Sequence, residues 1–172
     1  MSKVKLELKD GDYVVHATHG VGKITGVETK HMDNEKRVFY VIETKRLTYW
    51  LPVVKSDTGR IRSVCAPSTF RNALSEIRRK PEPLSNNFRT RIKHLKTEMA
   101  KCSVIANARL IRDLHARNAE KNLHVNEHRT LDKLKEQFVN EWAISADMDK
   151  KEASSKLEEA LSTSVSKMLE TA

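Results

Sequence analysis

Five consecutive residues have the spacing of a metal hydrolase. His124-Val125-Asn126-Glu127-His128 reads H-x-x-E-H, an arrangement that sets two imidazoles one helical turn apart to bind zinc beside a glutamate that activates water. Its surroundings argue for a plainer reading. The segment falls where a helix should begin, so His124 or Asn126 is suited to cap it. No glycine-supported cleft follows, and only Glu152 and Glu158 are on hand as a third ligand. These histidines are therefore read as helix-terminal residues. His16 and His19 form H-x-x-H at a strand end with no cysteine or aspartate cluster nearby, and read as turn and barrel-rim residues. Gly20-Val21-Gly22 and Gly26 superficially suggest a dinucleotide loop, but a strand follows them where that fingerprint needs a helix. Cys65 and Cys102 lack the local histidine of an activated thiol. No catalytic constellation emerges, so the expectation is a protein that is not an enzyme and holds no metal or cofactor.

The other chemistry is electrostatic. The chain has 172 residues and a formal charge of +9, which favours polyanionic partners. Residues 1–70 carry 12 basic and 8 acidic groups; residues 71–121 carry 13 and 5; residues 122–172 carry 7 and 10. The positive field is thus centred between 71 and 121. Its densest part is Arg78-Arg79-Lys80, followed by Arg89, Arg91, Lys93 and Lys96. A basic run can be a solvated helix face, or it can contact phosphates along a nucleic-acid backbone. Phe88 stands among these charges after Ser85-Asn86-Asn87. It can pack inward as core or wedge against unstacked bases.

The elements that must position these residues follow from the glycines and prolines. All five glycines and all four prolines precede residue 84, and the last 89 residues contain neither. Gly and Pro interrupt helices, so that tract reads as helix, and the chain divides into residues 1–67 and 68–172. In the first part Asp12–His16, Lys23–Thr29, Arg37–Glu43, Thr48–Val53 and Arg60–Val64 read as short strands. Val38, Tyr40 and Ile42 should share one face, with Phe39 and Val41 on the other. Asp33-Asn34 and Asp57-Thr58-Gly59 should turn hairpins, and the glycines of His19–Lys23 should permit positive φ in a tight connection. Five such strands suggest a small antiparallel barrel of SH3 or Tudor type.

In the second part four apolar stripes at helical spacing are legible: Phe70, Ala73, Leu74, Ile77; Val104, Ala108, Ile111, His115; Leu131, Leu134, Phe138, Trp142; and Ala153, Leu157, Leu161, Val165, Met168. Pro67-Ser68 starts the first helix and Pro81–Pro83 separates it from the second. Further breaks near Cys102-Ser103, Lys121–Val125 and Ala146–Asp149 give five amphipathic helices in a bundle. The fold class is α+β. No run is long and apolar enough to span a membrane, and the N-terminus lacks the apolar core of a secretory signal. A cytoplasmic location is expected.

Several segments together resemble the CarD/CdnL family of bacterial transcription regulators, whose N-terminal module also occurs in the transcription-repair coupling factor. Gly11-Asp12-Tyr13-Val14-Val15-His16, His19-Gly20-Val21-Gly22-Lys23-Ile24, Val27-Glu28-Thr29, Tyr40-Val41-Ile42 and Leu51-Pro52-Val53 carry the resemblance in the first part. Ile111-Arg112-Asp113-Leu114-His115-Ala116-Arg117, Glu120-Lys121-Asn122-Leu123, Glu127, Leu131 and Glu141 carry it in the second. Because the helical half is included, the resemblance favours the stand-alone regulator over a fragment of the coupling factor.

The resemblance implies a Tudor-like domain that binds the β subunit of RNA polymerase. It further implies a helical domain that touches promoter DNA beside the −10 element and stabilises the open complex without strong sequence reading. Lys30 matches the family's polymerase-facing basic position. Trp50 stands where a second basic residue is usual, just before Leu51-Pro52, and these four residues form the expected polymerase contact. The family's wedge tryptophan falls on Phe88, which stays apolar but loses the indole N–H donor. Arg89, Arg91 and Lys93 are expected beside it on phosphates, and Thr90 occupies a usually basic position. His124 replaces the usual serine of a Ser-x-x-Glu capping box. A monomer associated with the nucleoid through polymerase is expected, and the lack of a long apolar run argues against a membrane partner. The residues alone also allow a protein-interaction adaptor, a Tudor-like barrel joined to a docking bundle with no direct role on DNA.

Overall fold

A computed structural model describes residues 8–53 and 60–170. They fall into two compact units, residues 1–64 and 65–172. The first contains five strands: β1 (Tyr13–His16), β2 (Gly20–Met32), β3 (Glu35–Glu43), β4 (Thr48–Pro52) and β5 (Ile61–Ser63). They form one antiparallel sheet in the order β4-β3-β2-β1-β5. Every expected strand is present, and β2 is longer than expected at both ends. The closed barrel is not. Among the described residues β4 and β5 remain the two edges, and no pairing joins them.

Pairing places Ile24 opposite Ile42, Tyr40 opposite Leu51 and Ile42 opposite Tyr49. Directly opposed residues share a face, and here that face is the core: Val14, Ile24, Ile42 and Ile61, with Leu8, Tyr40, Tyr49 and Leu51 against it. Val38 shares the parity of Tyr40 and Ile42 but is exposed, because it lies toward the hairpin tip, beyond the core. Phe39 is buried on the opposite face.

The β2–β3 turn is Asp33-Asn34, with φ of 52° and 63°. Two consecutive left-handed residues match the right-handed twist of a hairpin. The turn expected at Asp57-Thr58-Gly59 lies outside the described residues. In the His19–Lys23 connection only Gly20 has positive φ, at 73°. Gly22 serves a different need, since a Cβ there would lie 2.6 Å from Ile42 Cγ2 and 3.1 Å from the Glu43 carbonyl. His16 is buried rather than at a rim. Its Nδ1 accepts the backbone N–H groups of Thr18 (3.0 Å) and His19 (3.3 Å), and its ring stacks on His19 at 4.6 Å.

The second unit holds the five expected helices: α1 (Pro67–Ile77), α2 (Phe88–Ala100), α3 (Val104–Glu120), α4 (Val125–Ala146) and α5 (Lys150–Leu169). Their starts follow local chemistry. Pro67 occupies the first turn of α1, where its missing N–H costs nothing. Asn87, Ser103 and Asp149 cap α2, α3 and α5 through side-chain oxygens. Cys102 and Asp147, at φ of 50° and 49°, close the helices before α3 and α5.

The stripes converge on one core containing Phe70, Ile77, Leu110, Ile111, Leu114, Leu134, Phe138, Trp142, Leu157 and Leu161. Phe70 meets Phe138 edge-on at 5.4 Å and lies parallel to Trp142 at 6.1 Å. His115, Val165 and Met168 are only partly buried, and Ser164 takes a buried place in the α5 stripe, its hydroxyl donating to the Arg79 carbonyl at 2.7 Å. Cys65 belongs to this unit because its N–H donates to Glu141 Oε1 at 3.0 Å and its carbonyl accepts from Ser145 Oγ. Among the described residues no helix is long and apolar enough to cross a membrane.

Candidate nucleic-acid interface

The basic stretch between α1 and α3 is built from the helix starts upward. Asn87 is extended, and its side chain accepts the Thr90 N–H at 3.1 Å, so α2 begins at Phe88. Helical spacing then places Arg89, Lys93 and Lys96 on one exposed side, next to Phe88, Ile92 and Thr97. These six residues line a shallow hollow of about 400 Å³. Phe88 is 38% exposed, neither core nor free in solvent. No acidic side chain pairs with Arg89, Lys93 or Lys96 among the described residues. Each of these cations therefore stays available to an anion, as the solvated face and the phosphate contact both require.

Arg91 has a different place. It is 6% exposed and points inward. Its Nε and Nη2 donate to the two carboxylate oxygens of Glu127, at 2.6 and 3.3 Å, and its Nη1 donates to the Ser85 and Asn86 carbonyls at 2.8 and 2.9 Å. Bidentate geometry of this kind is the strong form of an ion pair. The guanidinium is occupied by the loop before α2, so Arg91 orders that loop rather than offering itself to a phosphate. Sequence reading grouped it with Arg89 and Lys93 because charge runs do not reveal burial. The signal for its partner was the Glu127 of the capping box.

Glu127 is the residue that the hydrolase motif would make a base. It is 1% exposed and already committed. Burial raises its pKa, but the Arg91 hydrogen bonds, the His124 N–H and the charges of Arg91 and Arg117 outweigh this and hold it below the ordinary value. His124 caps α4. Its Nδ1 accepts the Asn126 N–H at 3.3 Å, and its own N–H donates to Glu127 Oε2 at 3.0 Å. The His124 ring lies 4.8 Å from Phe88, tilted by 52°. Among the described residues no group of three or more histidine, cysteine or carboxylate side chains is placed to hold a metal.

A second surface lies on the sheet. Lys30 of β2 and Trp50 of β4 flank β3, on the face opposite the small core. Lys30 Nζ stands 3.5 Å from the centre of the Trp50 ring, and the indole N–H donates to Glu28 Oε2 at 2.7 Å. Trp50 is 44% exposed yet held from both directions, a cation–π contact on one side and a charge-assisted hydrogen bond on the other. Pro52 shares this face. Leu51 does not, since it pairs with Tyr40 and packs on the core. Glu28 was not singled out in the sequence, although strand alternation sets it beside Lys30.

Comparison with known proteins covers both units. A family model described as CarD-like/TRCF RID domain matches residues 8–65, and one described as CarD, C-terminal domain matches residues 72–158. The chain is also 26% identical over 148 residues to "Putative transcription factor YdeB" of Bacillus subtilis (strain 168), covering 84% of this chain and 96% of that one.

Proposed function

Because the chain belongs to the CarD family, we propose that it is a transcription regulator that binds the β subunit of RNA polymerase through its sheet and stabilises the promoter open complex through α2. The observation that carries the DNA half is the exposed strip of Arg89, Lys93 and Lys96 with Phe88 at its head. Lysines and arginines at this spacing follow a phosphate backbone, which positions a protein without reading sequence. A partly exposed apolar ring beside them can lean into a minor groove at the edge of melted DNA. Arg91 takes part indirectly, by fixing the loop that presents Phe88. Binding is the whole of the activity, with no chemical step and no cofactor.

The Lys30–Trp50–Glu28 cluster supports the polymerase half. Trp is among the residue types enriched at interface hot spots, and this one is half exposed and held in place by its neighbours. Trp50 stands where the resemblance leads one to expect a base, and Lys30 brings its positive charge onto the same ring. Leu51 would act from beneath, by supporting β4. Tethering to polymerase places the helical unit near DNA at high effective concentration, so its own DNA affinity need only be modest. Stabilising open over closed promoter then requires only a difference in affinity for the two states.

Capture by core polymerase tests the first half. The full chain should be retained, Lys30→Glu and Trp50→Ala should be retained at least tenfold less well, and Phe88→Ala should be retained like the wild type. Failure of the wild type to bind would overturn this half and favour the adaptor reading. For the second half, the full chain should bind duplex DNA with an affinity that falls steeply with salt. A flat dependence would leave the basic strip as a solvated face.

A further inference from the structure

His124 is an unusual choice for the place it holds. Helix N-caps favour Ser, Thr, Asp and Asn, whose short side chains reach the first turn easily. His124 caps with a ring nitrogen, and its 3.3 Å contact to the Asn126 N–H is long. What it adds over a short cap is a planar face, and that face meets Phe88 at 4.8 Å. Arg91 meets the same ring at 5.8 Å. Phe88 is therefore flanked by α4 and by its own helix, and remains 38% exposed.

The support behind His124 is stiff. Its N–H is held by Glu127, which is buried and held by Arg91, which in turn holds the carbonyls of Ser85 and Asn86 just before the α2 cap. One hydrogen-bonded chain thus runs from the α4 N-terminus to the loop that carries Phe88. An exposed phenylalanine without such a neighbour would sample several rotamers and lose that freedom on binding.

We propose that His124 is a positioning residue whose ring fixes the orientation of Phe88 for contact with DNA. The inference rests on the α2 surface being the DNA surface. It assigns His124 no direct contact with the nucleic acid and no metal.

His124→Ser and His124→Asn test it, since both are good caps and leave α4 intact. Each is expected to melt within a degree or two of the wild type. Each should shift and broaden the Phe88 ring resonances in the free protein, and weaken binding of the full chain to a forked promoter duplex about threefold. The slope of affinity against salt should not change, because no phosphate contact is lost. In a Phe88→Ala background the same substitutions should have no further effect, since His124 acts only through that ring. A weakened Phe88→Ala with an unaffected His124→Ser would overturn the inference and leave the DNA surface standing. Equal loss from His124→Ser with and without Phe88 would also overturn it, by showing a separate contact. Unaltered binding by Phe88→Ala would remove the DNA surface and the inference together.

Discussion

Arg91 and Glu127 illustrate what a single residue type leaves open. A basic residue between Arg89 and Lys93 reads as one more phosphate contact, yet about half a turn of α2 carries it to the buried side. Its removal is therefore predicted to affect folding before it affects DNA. Arg91→Met keeps the volume but strands the Glu127 carboxylate, and should cost about 3–5 kcal/mol in denaturant unfolding. The pair also predicts a pH dependence. A carboxyl with a lower pKa in the folded chain than in the unfolded one binds fewer protons when folded. Its contribution is full above the unfolded value of 4.5 and disappears as pH falls through the depressed folded value. The stability difference between wild type and Glu127→Gln should thus be constant near neutrality and shrink in acid below that range. At this scale Phe88, Arg89, Lys93, Lys30 and Trp50 could be picked out from the sequence as residues of interest. The partners that define them could not, because Glu28 and Trp50 are 22 positions apart and Arg91 and Glu127 are 36 apart.

Elements were far more legible than partners. Prolines marked the start of α1 and the break after it, apolar stripes at helical spacing located the later helices, and β-branched runs located five strands. Closure of the sheet was not legible, because edge pairing depends on strand length and twist rather than on local pattern. Two substitutions examine the sheet. Asn34 sits at φ 63°, so Asn34→Gly should stabilise the hairpin by about 0.5–1 kcal/mol and Asn34→Val should destabilise it, as read by denaturant midpoints. Gly22→Ala should destabilise the sheet despite its ordinary φ, because its methyl would collide with Ile42 and the Glu43 backbone. In the helical unit Phe70 is fully buried between Phe138 and Trp142. Phe70→Ala should cost about 3–5 kcal/mol in the same measurement, with polymerase capture by the sheet preserved if the two units fold separately.

Across the whole molecule, the charge of +9 resolves into surfaces with different work to do. The sheet presents one cation on an aromatic anchor; α2 presents three exposed cations beside a ring; residues 122–172, with 7 basic and 10 acidic groups, are mildly acidic. On this account the sheet sets where the protein acts and α2 sets what it does there. A fault in either should abolish regulation, for separable reasons. The central claim is that Phe88 and its basic strip hold promoter DNA open while the sheet holds polymerase. It is tested most directly by the lifetime of open complexes formed by bacterial RNA polymerase with the full-length chain, wild type against Phe88→Ala, at fixed salt. The account predicts that the wild type lengthens the lifetime and that Phe88→Ala, folded and captured equally well by polymerase, loses most of that gain, a tenfold change corresponding to about 1.4 kcal/mol. Equal lifetimes for the two proteins would contradict it.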